Sequence, residues 1–542
     1  MGPSVFEKLP LELLESVIRQ QEPARIAVSR EVCKTWKTVV ENSPAMLYAI
    51  TLAKYGLKDN PPALQAVSSA ERLDLLNAQV NGSWGEMQLG LDAEELNTPS
   101  FRLWEFFGNV FAQVADNTVL FHQFASPRTN QPRLTWEVPI RLNGALEDFG
   151  MDPSQDLLIL ARSDVSPPKV ALAFRTMSTG HGHPSAKLTE LTVPIQSIDA
   201  PADLFYHISV CGTFAGILLN DGDESNGFEL FIIDWKTGEL CMNLRRNDNC
   251  ELLSFAFITE THIAVCAIEL EENLGQGIRI YNFLSGQTVV SIADRDRVDV
   301  FLKLPGNLPG VYDCTIRCDP TSAWPGPGDT FTHFYDHPDE LIYTISVKSI
   351  RAPDITLIAR RASLLEHLGR EVWDVPWGKW GEQGASCIEI IDDSHWICRT
   401  FGSLLLTADV TGTLTVYDFN QKRARLFPES FTSRSERTGK GEGMRLTLVP
   451  FDDEGEHVGV LESKDEGKEK GKDATEDESD SETESENSTN DVSFDCVASL
   501  PFRKRVFPNI LSGGIRQDAM IGRDCILIVD DDNEGRFRVL SL

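Results

Sequence analysis

LFIIDWKTGEL, residues 230–240, is an apolar run closed by an aspartate, an aromatic residue and a polar turn. The same order recurs in IRIYNFLSGQT (278–288) and LTVYDFNQKRA (414–424). Stacked, Asp234, Asn282 and Asp418 share one column, and Trp235, Phe283 and Phe419 share the next. Each copy follows another strand-like run: TFAGILLND (213–221), THIAVCAIE (261–269) and SLLLTADVTG (403–412). Strand, turn, strand, aspartate–aromatic turn, strand is the grammar of one blade of a β-propeller. The first two copies lie 48 residues apart. The third lies 136 residues further on, close to three more periods of about 45 residues, the repeat length of a blade.

Working outward, the chain from Leu103 to Leu542 reads mostly as strands and turns. Without its acidic tract that is roughly 400 residues, enough for about seven blades. Gly-His…Trp-Asp does not recur, so this is not a standard WD repeat. LIARRASLLEHLGREVWDVPWGKWG (357–381) reads as an insertion with a helical turn. A two-sheet sandwich array is the alternative architecture. A leucine-rich horseshoe would need a Leu-x-x-Leu-x-Leu frame, which is absent. KDEGKEKGKDATEDESDSETESENSTND (464–491) cannot bury enough apolar surface to order itself. It predicts a disordered acidic loop over 452–492, between the strand-like MRLTLVPF (444–451) and VSFDCVASLPF (492–502). Ser479, Ser481, Thr483 and Ser485 stand there among carboxylates, the setting acid-directed kinases favour. A solvated loop without a role is the alternative reading.

The start of the chain has a different periodicity. Leu9, Leu13, Leu14, Val17 and Ile18 recur at helical spacing, with Pro10 in the first turn, where proline is tolerated. Pro23 breaks that run, and Ile26, Ala27, Val28, Val32, Trp36 and Val39 form a second apolar stripe. Ser43 caps or turns before PAMLYAITLAKYG (44–56). Three short helices in under about 50 residues bury little surface alone, so the unit needs a partner. A further helix is predicted over SSAERLDLLNAQVNGSW (68–84), capped by Ser68 or Ser69, with Leu73, Leu76, Val80 and Trp84 on one face and Asn81-Gly82 at its end. It is expected to weld the first unit to the body.

The first unit resembles an F-box. That family runs Leu-Pro-x-Glu-Leu-Leu, then a proline, then Val-Cys-Lys-x-Trp. This chain has Leu9-Pro10-Leu11-Glu12-Leu13-Leu14, Pro23, and Val32-Cys33-Lys34-Thr35-Trp36 in ungapped register. Gln20, Gln21, Ser29 and Glu31 depart from the family's usual apolar residues. The VPWGKWG phrase (375–381) and the order of parts resemble a group of fungal F-box proteins with a divergent propeller-like body. The resemblance implies a three-helix F-box over 1–55, a helical linker over 56–100 and a β-propeller body over 101–542. It further implies that Leu9, Pro10, Leu13, Leu14, Val17, Ile18, Pro23, Val32, Cys33 and Trp36 hold the unit together or face a Skp-family adaptor. Through that adaptor the chain would reach a cullin, and its body would select a protein substrate for ubiquitination. The chain itself would then be a receptor subunit, not an enzyme.

The bulk numbers point the same way. The formal net charge is −32, which argues against nucleic acid and against anionic membranes. Residues 462–491 hold 13 acidic residues and 4 lysines, a net of −9, which leaves −23 elsewhere. Carboxylate-rich loops such as NDGDESNG (220–227), IDDSHW (391–396) and VDDDNEG (529–535) predict an acidic loop face suited to a basic segment of a protein partner, unless the charge serves only solubility. Eleven cysteines, and no basic start followed by an apolar run, predict reduced thiols in the cytoplasm or nucleus. Cys314 and Cys318 form a lone pair of free thiols, without the second pair a zinc site needs. His181-Gly182-His183 reads as an exposed loop and a weak metal site. Phosphate loops, Gly-x-Ser-x-Gly and His-Glu-x-x-His are absent, and no cofactor is expected. Two other functions remain open. One is an F-box scaffold without a ligase role. The other is a propeller hydrolase or lyase with polar groups clustered in the central channel, which one sequence does not reveal.

Overall fold

Seven blades of four antiparallel strands, three of them widened by a fifth edge strand, follow one another along the chain and close into a ring. The structure, a computed structural model, describes residues 9–81, most of 94–426 and 500–542, and the short strands 431–432, 444–447 and 493–496. Blade 1 starts at Leu103–Phe107, blade 2 at Asp148–Asp152, blade 3 at Leu204–Cys211 and blade 4 at Cys250–Phe257. Blades 5, 6 and 7 start at Val311–Arg317, Thr400–Phe401 and Gln517–Ile521. The last blade is shared between both ends of the chain. Its fourth strand is Glu94–Asn97, paired antiparallel with Arg536–Ser541. The molecule is therefore mainly β, a seven-bladed propeller preceded by helices.

The core is a set of layers between successive blades. Phe121, Phe149 and Leu160 pack between blades 1 and 2, and Phe174, Ile217 and Trp235 between blades 2 and 3. Around the ring the layers continue to Phe106, Phe111, Met520 and Phe537 between blades 7 and 1. Middle strands such as Phe228–Ile233 are therefore buried on both faces. That is why LFII is a continuous apolar run and not an alternating one.

The aspartate–aromatic column ends the third strand of blades 3, 4 and 6. Asp234 Oδ1 accepts from the Lys236 and Thr237 amides, Asn282 Oδ1 from Leu284, and Asp418 Oδ1 from Asn420. Trp235, Phe283 and Phe419 beside them are buried. Gly238 closes the first of these turns at φ +79°, a conformation that favours glycine.

The spacing of the third copy needs correction. It lies two blades after the second, not three, because blade 5 carries two insertions. One, between its first and second strands, includes the short strand Phe334–Asp336. The other, between its third and fourth strands, carries the helices Arg361–Leu365 and Trp377–Gly384. This second insertion also adds Asp374–Val375 as a parallel edge strand on blade 4. In the third copy, the expected polar turn is instead the start of a helix, Gln421–Leu426, because Asn420 Oδ1 accepts from the Lys422 and Arg423 amides.

The acidic tract falls in blade 6, between the third strand Leu414–Asp418 and the fourth strand Phe502–Phe507. Met444–Thr447 and Ser493–Cys496 pair antiparallel on either side of it. The tract, with Ser479, Ser481, Thr483 and Ser485, lies outside the described residues. Because that pairing already brings its ends together, deleting Ser463 to Thr489 and joining the ends with a short linker removes only a slowly varying closure term. The melting temperature of the deletion variant, followed by circular dichroism, should stay within a few degrees of the parent.

Candidate functional site

Ahead of the ring, residues 11–54 form four helices rather than three. They are α1 (Leu11–Arg19), α2 (Pro23–Ser29), α3 (Lys34–Glu41) and α4 (Pro44–Lys54). The second apolar stripe is split because the chain turns at Arg30–Cys33, and Cys33 takes an extended conformation at the start of α3. Pro10 sits at the cap of α1, and its carbonyl accepts from the Leu13 and Leu14 amides. Pro23 occupies the first position of α2. Ser43 precedes Pro44 at the start of α4, where its hydroxyl donates to Glu15 Oε1 at 2.7 Å.

The apolar residues divide into two sets. Leu14, Ile18, Ile26, Val39, Val40 and Met46 form a buried cluster, with half-buried Trp36 against it. Leu9 and Pro23 are half-buried, and Pro10 and Cys33 are exposed. Leu13 (54% exposed), Val17 (44%), Val28 (62%) and Val32 (60%) project outward. Leu13 and Val17 lie one turn apart on α1, so they share a face. Val28 and Val32 are spaced likewise across the end of α2. The unit thus has a filled core and an apolar surface that its own folding leaves uncovered.

The join to the ring is made by the main chain. Leu57–Asp59 pairs antiparallel with Phe334–Asp336 of the first blade 5 insertion. Buried Asn60 donates to the Asp329 and Thr332 carbonyls at 2.8 and 2.6 Å. The helix expected to do the welding, α6 (Ser69–Asn81), packs on α4 and supports this join. Leu76 and Val80 bury with Tyr48, Leu57 and Phe334. Between them in the chain lies α5 (Pro61–Leu64), whose Leu64 joins the same cluster. Ser68 rather than Ser69 caps α6: its amide and hydroxyl donate to Glu71 Oε2 at 2.9 and 2.7 Å. Trp84 lies outside the described residues.

A buried ionic cluster backs the join. Arg423 donates to Asp418 Oδ2 at 2.9 Å, to Asp336 Oδ1 at 3.1 Å and to the Ser403 hydroxyl at 2.6 Å. Its neighbour Asn420 donates to the Tyr55 carbonyl, and Glu340 accepts from the Gln421 amide. Sequence reading took Asp418 as a turn residue only. An arginine five positions on, where the other copies have none, was the available signal.

Other sequence candidates separate. His183 is buried, not exposed. Its Nε2 lies 3.0 Å from the Gln155 carbonyl, and its ring meets Trp235 edge-on. His181 is exposed, so the two histidines do not converge. Cys314 and Cys318 are free, buried thiols. Most of the three carboxylate-rich loops, including residues 222–226, 391–396 and 531–535, lies outside the described residues. Inward polar groups do cluster in the channel, where Glu105, Asp148, His207 and Arg317 line one cavity. Among the described residues, no helix is long and apolar enough to cross a membrane.

No family model and no curated protein matches the chain. Solved structures similar to it include the C-terminal WD40 domain of Sif2, at 7% identity over 83% of this chain and 97% of that one, with a TM-score of 0.36. Hsv2 of Kluyvelomyces marxianus is similar at 10% identity over 82% and 97%, with a TM-score of 0.34. Hydrazine synthase of Kuenenia stuttgartiensis is similar at 13% identity over 49% and 65%, with a TM-score of 0.28.

Replacing Arg423 with methionine leaves Asp336 and Asp418 buried without their cation. Breaking such a pair costs about 3–5 kcal/mol. Urea unfolding of the Arg423→Met variant should show that loss, and a midpoint equal to the parent's would place the cluster outside the folding core.

Proposed function

We propose that this protein is the substrate-recognition subunit of a Skp–cullin–F-box ubiquitin ligase, acting in the cytoplasm or nucleus. The helical unit docks on a Skp-family adaptor, the adaptor reaches the cullin, and the propeller holds a protein substrate. The observation that carries this reading is the uncovered apolar pairs Leu13/Val17 and Val28/Val32 on a unit whose core is already filled. Each of these side chains is already about half covered, so burying the remainder contributes on the order of 1 kcal/mol. Four together give a gross contribution of roughly 4 kcal/mol, about half of the roughly 8 kcal/mol of a micromolar complex. The resemblance of Leu9-Pro10 and Val32-Cys33-Lys34-Thr35-Trp36 to an F-box supports a Skp-family adaptor as the partner. In this reading Leu14, Ile18 and Trp36 shape the unit, while Leu9, Pro10, Leu13, Val17, Pro23, Val32 and Cys33 lie at or beside the adaptor. The chemistry of ubiquitin transfer belongs to other subunits. Phosphorylation of Ser479, Ser481, Thr483 or Ser485 would add charge to a segment that is already acidic.

The test is capture of a purified Skp-family adaptor by the full chain. Leu13→Asp with Val17→Asp should abolish capture, and so should Leu9→Ala with Pro10→Ala. Leu13 and Val17 are exposed, so the first pair should move stability by no more than about 0.5 kcal/mol per site. Retained capture by both double variants would overturn the adaptor reading. Capture of the adaptor without a cullin would support the scaffold reading instead.

A further inference from the structure

The central channel holds a second site. A cavity of about 570 Å³ opens where the first strands of blades 1 to 5 converge, within the size range of small-ligand pockets. A smaller space of about 80 Å³ continues along the same strands and shares Glu105, His207, Arg317 and Cys398 with it. The larger cavity has an aromatic wall, Trp104, Phe205 and Tyr206, and Phe205 is 54% exposed within it.

The charges of the cavity do not cancel at contact. The Glu105 carboxylate accepts from the Phe106 amide at 3.1 Å, and that of Asp148 from the Phe149 amide at 2.8 Å. Among the described residues, neither carboxylate has a cation within ion-pair distance. The Arg317 guanidinium likewise has no ion-pair partner among the described residues, though it acts on Glu105 and Asp319 at longer range. Among the described residues, no three His, Cys, Asp or Glu side chains are placed to hold a metal ion. The cavity therefore offers separated carboxylates beside π faces, which is how proteins recognise an organic cation.

We propose that the channel is a binding site for an organic ammonium group, held by Glu105 and Asp148 and covered by the faces of Trp104 and Phe205. This assignment does not depend on the adaptor reading. The ammonium comes either from a free diamine or from a lysine side chain of a peptide, and the two share the same chemistry here.

The ionisation of the wall sets the pH dependence. On blade 1, burial and then the charges of Asp319 and Asp148 push Glu105 up to about 8. On blade 2, burial pushes Asp148 up to about 7, with Glu147 beside it. On blade 3, burial and then Arg317 press His207 down to about 3, so the imidazole is neutral, and burial raises the Tyr206 phenol to about 12. Blade 4 contributes Ser254, which does not titrate. On blade 5, Asp313 and Arg317 face the space, and burial raises Asp319 just beyond to about 6. Ahead of the first strand of blade 6, burial raises the Cys398 thiol well above its ordinary range, so it stays neutral. Between pH 6 and pH 8 the titrating groups are thus Asp319, Asp148 and Glu105. An alkylammonium stays protonated throughout, with a pKa near 10.4. Binding therefore strengthens as pH rises and these carboxylates ionise.

The experiment is calorimetric titration of the full chain with cadaverine and, separately, with Nα-acetyl-lysine amide. Pentanediol serves as the uncharged control. Saturable binding of either amine at pH 8, weaker by about tenfold or more at pH 6, is expected, and pentanediol should not bind; a tenfold change corresponds to about 1.4 kcal/mol. Binding of cadaverine would point to a free diamine, and binding of the lysine amide alone to a peptide. The near-isosteric double variant Glu105→Gln with Asp148→Asn should lose binding by about tenfold or more while keeping the parent's melting profile. Phe205→Ala, at an exposed position, is the second variant and should weaken binding without altering the fold. Absence of saturable binding by both amines, equal binding of pentanediol, or unchanged affinity in the folded double variant would overturn the proposal.

Discussion

The ring exists because four residues from the start of the chain complete a sheet made by its end. Glu94–Asn97 pairs residue for residue with Arg536–Val539. Without that pairing, blade 7 would have three strands and an open edge of unpaired amides and carbonyls, a template for pairing with other chains. Closure removes that edge. It also makes each interblade layer depend on the next, since Phe106 and Phe111 of blade 1 can bury against Met520 and Phe537 of blade 7 only in a closed ring.

The same constraint explains why the helical unit is fixed rather than tethered. It precedes the closing strand, and Leu57–Asp59 pairs with Phe334–Asp336 of blade 5. Residues 57–59 are therefore held on blade 5 and residues 94–97 on blade 7. Blade 6 lies between them and supplies Asn420 and Arg423, the residues that meet Tyr55 and Asp336. Blade 7 adds Arg523, which donates to Asp329 Oδ2 at 3.0 Å. Four polar side chains, Asn60, Asn420, Arg423 and Arg523, thus bind the turns around the join. The Asp59 carboxylate accepts from the Tyr48 hydroxyl, tying α4 to the strand that leaves it. Burial, with that bond, raises the Tyr48 phenol, so it remains a neutral donor.

What the sequence made legible follows from which interactions are local. The column Asp234, Asn282, Asp418 could be read because each side chain bonds to an amide two residues ahead, a contact written in adjacent letters. The blade number could be estimated from length and period. The blade 5 insertions could not be given their place, because Phe334–Asp336 pairs with a strand over 270 residues away. That same lengthening made two blades look like three. The α1 stripe was legible as helix, yet periodicity alone could not say that Leu14 and Ile18 turn inward while Leu13 and Val17 turn outward. Only the position of α2 and α3 decides which side is the core. The channel was the least legible part. Glu105, Asp148, His207 and Arg317 come from four different blades, and no spacing in the chain brings them together.

The two candidate sites stand in a defined relation as a result. The apolar face of α1 and α2 sits on a unit joined to blade 5, and blade 5 also contributes Arg317 to the channel wall. The link runs through a short β-pairing, a buried asparagine and an ion cluster, none of which can slide without leaving polar groups buried and unpaired. A flexible linker would let the helical unit sample many distances from the ring. Here the distance is set by the backbone pairing of Leu57–Asp59 together with the side chains of Asn60, Asn420 and Arg423. The helical face therefore keeps its position relative to the ring.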